Sequence, residues 1–147
     1  MKFEVISPLE ATRSCRELIE ENFAESGMRG TKLKLQEEFY RSLAGTASFC
    51  IVAKVGAEPV GLVCVLILRH MHTDEWIATN DTLFVSKPWR PTGVGGRLFI
   101  RAERLAYERG ATTFQWQTDE DSPLDAALAR REHFEKQVTY FRKLRHG

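Results

Sequence analysis

Arg90, Gly93, Gly95 and Gly96 stand between a β-rich run and an amphipathic helical pattern, an arrangement suited to holding a phosphate or pyrophosphate. The run at residues 82–85 stops at Pro88, and the turn Arg90-Pro91-Thr92-Gly93-Val94-Gly95-Gly96 follows. Val94, Leu98, Ala102, Leu105 and Ala106 then recur at helical spacing, with Gly110 where a C-terminal cap belongs. A strand entering a helix through glycines aims several backbone N–H groups at one point. The positive end of the helix dipole lies there too, and glycines lack the Cβ that would hold an anion off. A Walker loop needs a Lys and a Ser/Thr after its last glycine, whereas Arg97-Leu98 stand here. A dinucleotide fingerprint needs Gly-x-Gly-x-x-Gly early in a βαβ series, and this turn lies past the middle of a 147-residue chain.

Those residues need a scaffold. The chain is 43% apolar, enough for one well-buried core and too short for two ordinary domains, so residues 1–147 are expected to form a single domain. A formal net charge of +1 argues against a protein that coats nucleic acid. Residues 1–75 carry 9 basic and 11 acidic side chains, and residues 76–147 carry 12 and 9, so any preference for anions lies in the second half. The opening Met1-Lys2-Phe3-Glu4-Val5-Ile6 reads as a strand rather than a signal peptide, and no apolar run reaches membrane-spanning length. Cys15, Cys50 and Cys64 form no Cys-x-x-Cys pair and point to a reducing, cytoplasmic setting; Cys50 and Cys64 are expected as core thiols near one another.

Along the chain, residues 2–6 read as a strand, and Ser7-Pro8 opens a helix carrying Leu9, Cys15, Leu18, Ile19 and Phe23. A break at residues 26–30 leads to a second helical stretch from Thr31, with Leu33, Leu35, Phe39, Tyr40 and Leu43. Residues 47–55 and 60–68 form a hairpin, a polar connection holds His70 and His72, and residues 76–85 are the strand entering the glycine turn. After the long helix come a strand at 112–118, a short helix at 124–131 and a final β-rich segment at 138–144.

Arg90-x-x-Gly93-x-Gly95 resembles the acetyl-CoA pyrophosphate loop of the GNAT superfamily of N-acetyltransferases, Arg/Gln-x-x-Gly-x-Gly/Ala, and the order of elements matches that fold along nearly the whole chain. The run RLFIRAERLAYERGA, with LARREHF and VTYFRKL, looks most like GNAT proteins encoded in phage and prophage genomes. The resemblance implies an α/β (α+β) fold: a mixed, mostly antiparallel twisted sheet of six to seven strands, with about four helices on its faces and a splay between strands four and five. It also implies that acetyl-CoA (CoA) binds in that splay. Leu83, Phe84 and Val85 would offer backbone groups to the pantetheine arm, with Ser122 as a further contact. Arg90, Thr92, Gly93, Val94, Gly95, Gly96 and Arg97 would surround the pyrophosphate.

Acetyl transfer needs a neutral amine, a polarised thioester and a proton for the departing thiolate. A backbone N–H near Val85 is the expected oxyanion donor, a contact that can be worth roughly 3 kcal/mol. Where relatives often place a Glu in the fourth strand this chain has Thr79, and where many carry a catalytic Tyr it has Ala129. Asp81, placed by strand alternation on the face of Thr79, Leu83 and Val85, is the candidate base, and Tyr140 in the final strand the candidate acid, with solvent as the other proton source. His70 and His72 flank the side where acceptors enter such proteins; they lack the partner ligands of a metal site. The expected function is transfer of an acetyl group to a primary amine on a small molecule or protein. Two other readings stand beside it: a GNAT-shaped module that binds CoA or a partner without efficient catalysis, and an enzyme acting on an amine of a modified nucleobase. Relatives are often dimers, so a homodimer is among the expectations.

Overall fold

The computed structural model describes residues 1–26 and 32–144. The break expected at residues 27–30, and Arg145 and His146 of the basic tail, lie outside them. One compact unit spans Met1–Trp116 and a second Gln117–Gly147.

The first unit is built on a five-stranded sheet in the order β1 (Lys2–Ile6), β2 (Phe49–Val55), β3 (Glu58–Arg69), β4 (Trp76–Val85) and β5 (Ala111–Gln115). The first three pairings are antiparallel and β4·β5 is parallel. A parallel neighbour requires a crossover, and α4 (Val94–Glu108) supplies it. Its apolar stripe, Val94, Leu98, Ala102 and Ala106, is almost completely buried against Val63, Val65, Ile67, Ala78 and Val85 of the sheet. Gly61 of β3 makes this approach feasible: a Cβ there would stand 3.0 Å from Leu98 Cδ1 and 3.2 Å from Val94 Cγ1.

The opposite face packs on α1 (Pro8–Ser14) and α2 (Arg16–Ser26) through Ala11, Cys15, Leu18, Cys50, Val52, Leu62, Cys64 and Phe84. The single helix expected from Ser7-Pro8 is two helices with a break at Cys15. Side chains compete with the backbone there: the Thr12 hydroxyl donates to Leu9 O and Ser14 to Glu10 O. Cys50 and Cys64 lie directly opposite across β2 and β3 as buried free thiols, as expected of core residues. The second helical stretch shrinks to α3 (Glu37–Ser42). Ahead of it Leu33 and Leu35 are half-buried between exposed Lys32, Lys34 and Gln36, a spacing of two that belongs to extended chain.

The second unit holds α5 (Pro123–Ala129), capped by the Ser122 hydroxyl accepting from Asp125 N at 3.1 Å. The strand expected at 138–144 is not formed, so the sheet has five strands rather than six or seven. Val138, Tyr140, Phe141 and Leu144 are exposed, and β-propensity without a ladder partner does not hold a strand. Among the described residues no helix is long and apolar enough to cross a membrane.

Candidate active site

Pairing between β4 and β5 ends at Thr79 and Gln115, while β4 runs on to Val85 against β3 alone. The Thr79 hydroxyl donates to Gln115 O at 2.9 Å and closes this last rung. β5 itself ends with that rung, at Gln115. Ser86 N donates to Val60 O at 2.9 Å, which makes Val85–Gly61 and Leu83–Val63 the pairs whose backbone groups point away from β3. Leu83 therefore presents its N–H and C=O, and Val85 its N–H, on the edge away from β3, whereas the groups of Phe84 are committed to Leu62.

After β4 a tight 3-10 turn, Lys87–Thr92, carries the chain to Gly93, whose φ of +79° favours glycine. Gly93 caps α4 without a side-chain oxygen. Arg97 N donates back to Gly93 O at 3.2 Å, so helix geometry leaves the N–H groups of Val94, Gly95 and Gly96 facing outward at the positive end of the dipole. Packing does not require the glycines that follow the cap. No protein atom lies within 4 Å of a Cβ built at Gly96, and one at Gly95 would make only an ordinary contact, 3.7 Å, with Val85 Cγ2. The vacant space at these positions fits a pyrophosphate set against bare backbone.

Two carboxylates on α2 brace this turn. Glu21 accepts from the Ser86 hydroxyl at 3.2 Å and from Lys87 N at 3.5 Å, and Glu25 forms an ion pair with Arg90. The Arg90 guanidinium also donates to Val85 O at 2.9 Å and lies 5.3 Å from the Phe84 ring centroid. Arg90 thus fastens the turn to the strand. Thr92 spends its hydroxyl on Trp89 O, and the Arg97 guanidinium lies over the Phe3 ring. Trp116 stacks on Phe99 and Phe114 and donates to Glu103, which makes it a packing residue of α4 and β5.

Asp81 departs from the expected alternation. Cys64 is opposite Thr82 and Val65 opposite Asn80, so Asp81 is the extra residue of a β-bulge. The bulge turns Asp81 and Thr82 to the same face, with Cys50, Leu62 and Cys64, in a small cavity under α1 that Tyr40 also lines. Leu83 and Val85 remain on the α4 face. Asp81 therefore shares the face of Thr79 and not that of Leu83 and Val85. Tyr40, half-buried on α3, lines this cavity with Asp81, its hydroxyl on the side of the carboxylate. Asp81 is open to solvent along one side, yet its carboxyl is crowded by protein, and this desolvation raises its pKa while the Tyr40 hydroxyl partly opposes the rise. Desolvation, then the neighbouring Asp81 charge, pushes the Tyr40 phenol above its ordinary range. Sequence reading took Tyr40 as a helix-face aromatic; no local signal links it to a residue 41 positions away, because the bulge and α3 create the pair.

On the same face as Thr79, an open cleft of about 380 Å³ is lined by Leu68, His70, Met71, His72, Ile77 and Thr79, among others. His70 and His72 stand at its rim, the His72 N–H donating to His70 Nδ1 at 3.2 Å. Among the described residues no cluster of side chains could hold a metal ion. The structure thus sets Arg90 and Gly95 beside Val85, and Asp81 on the opposite face of the sheet from the Leu83 and Val85 side chains. Ser122 and Tyr140 belong to the second unit, Ser122 as a helix cap and Tyr140 as an exposed residue outside any strand.

Among solved structures, the chain is similar to an aminoglycoside acetyltransferase from an uncultured soil metagenomic sample, at 22% identity over 97% of this chain and 95% of that one, with a TM-score of 0.77. The same values hold for that enzyme in complex with sisomicin. Ribosomal-protein-alanine N-acetyltransferase from Brucella melitensis biovar Abortus 2308 gives 16% identity over 97% and 98% of the two chains, with a TM-score of 0.73. No curated protein matches in sequence. The family profile described as Acetyltransferase (GNAT) family matches residues 12–134, and the chain belongs to that family.

Proposed function

We propose that this protein is an acetyl-CoA-dependent N-acetyltransferase that passes the acetyl group directly to a primary amine. The observation that carries the reading is a β4·β5 ladder that ends at Thr79 and Gln115 while β4 continues to Val85, beside a helix N-terminus whose glycines answer no packing need. Acetyl-CoA, when bound, supplies a thioester that a neutral amine can attack and a thiol that can leave.

The residues divide the remaining work. Val94, Gly95 and Gly96 offer their N–H groups to the pyrophosphate, helped by the α4 dipole. Leu83 bonds the pantetheine amides through its N–H and C=O as an extra strand would. The Val85 N–H faces away from β3 and is the donor for charge developing on the carbonyl oxygen, worth roughly 3 kcal/mol. Asp81 takes the proton of the acceptor amine, directly or through one water, and Tyr40 holds its carboxylate in place. Solvent supplies the proton for the thiol, since Thr79 and Ala129 occupy the positions where relatives carry a Glu and a Tyr. The two neighbours named above act on an aminoglycoside and on a ribosomal-protein alanine, so the acceptor of this chain must be read from its own cleft.

The test is thiol release from acetyl-CoA with a panel of primary amines, with mass analysis of the product. An amine-dependent rate, an N-acetyl product and intersecting initial-velocity lines support direct transfer. Release that ignores the amine, or the parallel lines of a covalent enzyme intermediate, would refute it.

A further inference from the structure

The cleft beside Thr79 carries apolar side chains where a polycation would need carboxylates. Leu68 and Met71 expose 51% and 89% of their surfaces, which is wasteful for side chains of that size unless something covers them, and Ile77 completes the apolar wall. The polar side chains with basic nitrogen at the cleft are Arg69, already paired with Asp74, and the imidazoles of His70 and His72. Among the described residues no carboxylate lines it. Asp74 is taken up by Arg69, and another carboxylate on this side, Asp81, lines the adjoining small cavity. Asp81 follows Thr79 by two positions on the same face of β4, about 7 Å further along the strand.

We infer that the acceptor is a monoamine with an apolar or aromatic body, its body lying against Leu68, Met71 and Ile77 and its single amine reaching Asp81. This rests on the acetyltransferase reading for the chemistry but not for the binding. A second or third ammonium on the acceptor would face Arg69, His70 or His72 instead of an anion. A body without apolar surface would leave Leu68 and Met71 wet.

The experiment titrates phenethylamine, glycinamide, spermidine and kanamycin into protein labelled at the Leu, Ile and Met methyl groups, first alone and then with acetyl-CoA. Phenethylamine should shift the methyls of Leu68, Met71 and Ile77 and bind at least about tenfold more tightly than the other three. Leu68→Glu and Met71→Glu, at exposed positions that should tolerate the change, should abolish that preference and leave acetyl-CoA affinity unchanged; Leu68→Met should retain it. Tighter binding of spermidine or kanamycin, or phenethylamine shifts confined to other methyls, would overturn the inference. The methyl shifts do not need acetyl-CoA. A protein that fails to bind acetyl-CoA yet shows them loses the transfer reading alone, whereas one that binds acetyl-CoA without them loses this inference alone.

Discussion

Tyr40 of α3 and Asp81 of the β4 bulge line the same small cavity. Crowding raises Asp81 above the ordinary 3.8, so the folded state holds its proton more firmly than the unfolded chain. That contribution to stability is fully present below the unfolded value and is lost as pH rises through the folded one. Asp81→Asn should therefore melt at or above the wild-type temperature near neutral pH. It should also lose the acid limb of the kcat/KM profile, where activity rises as the carboxylate forms. Tyr40→Phe removes the hydroxyl that lowers the Asp81 pKa and should move that limb to higher pH. A limb left in place would show that the pair is not linked to the reaction.

Gly61 and Leu98 set the distance between sheet and helix. Gly61→Ala inserts a methyl group 3.0 Å from Leu98 Cδ1 and 3.2 Å from Val94 Cγ1, both fully buried side chains that would have to shift, and should destabilise the protein by about 1–3 kcal/mol. Urea unfolding checks this: the midpoint should fall while the slope stays the same. An unchanged midpoint would mean that α4 stands further from the sheet.

Thr79→Val keeps the shape of the last β4·β5 rung and removes its hydroxyl donor to Gln115 O. The expected cost is about 1 kcal/mol. Amide exchange at residues 113–115 should quicken while exchange in β2 and β3 does not; uniform quickening would contradict a local clasp.

Much of the first unit could be read from the chain because its signals are local. The limits of β4, the buried stripe of α4 and the glycine at the α4 N-cap follow from period, propensity and turn chemistry within a few residues. The bulge was not legible, since Asn80-Asp81-Thr82 has no composition that marks an extra residue; only the register against Cys64 and Val65 reveals it. The face of Asp81, and with it the partnership with Tyr40, changes accordingly. The role of Gly61 was hidden likewise, because it depends on Leu98 arriving from 37 positions downstream. Residues 138–144 mislead in the opposite sense: Val138, Thr139, Tyr140 and Phe141 have strand propensity, and the structure gives them no ladder.

The measurement that tests the account most directly is calorimetric titration of the wild-type protein and a Gly96→Glu variant with acetyl-CoA. A Cβ at this position meets nothing within 4 Å outside its own helix backbone, and an acidic residue in the first turn of a helix favours the dipole, so the variant should fold and melt about as well as the wild type. Its charge would stand in the proposed pyrophosphate cradle. The account predicts that the wild type binds acetyl-CoA and that the folded variant binds it at least about a hundredfold more weakly, a difference of about 2.7 kcal/mol. Equal affinity in the two proteins, or no binding by the folded wild type, would contradict the assignment of the α4 N-terminus as the cofactor site.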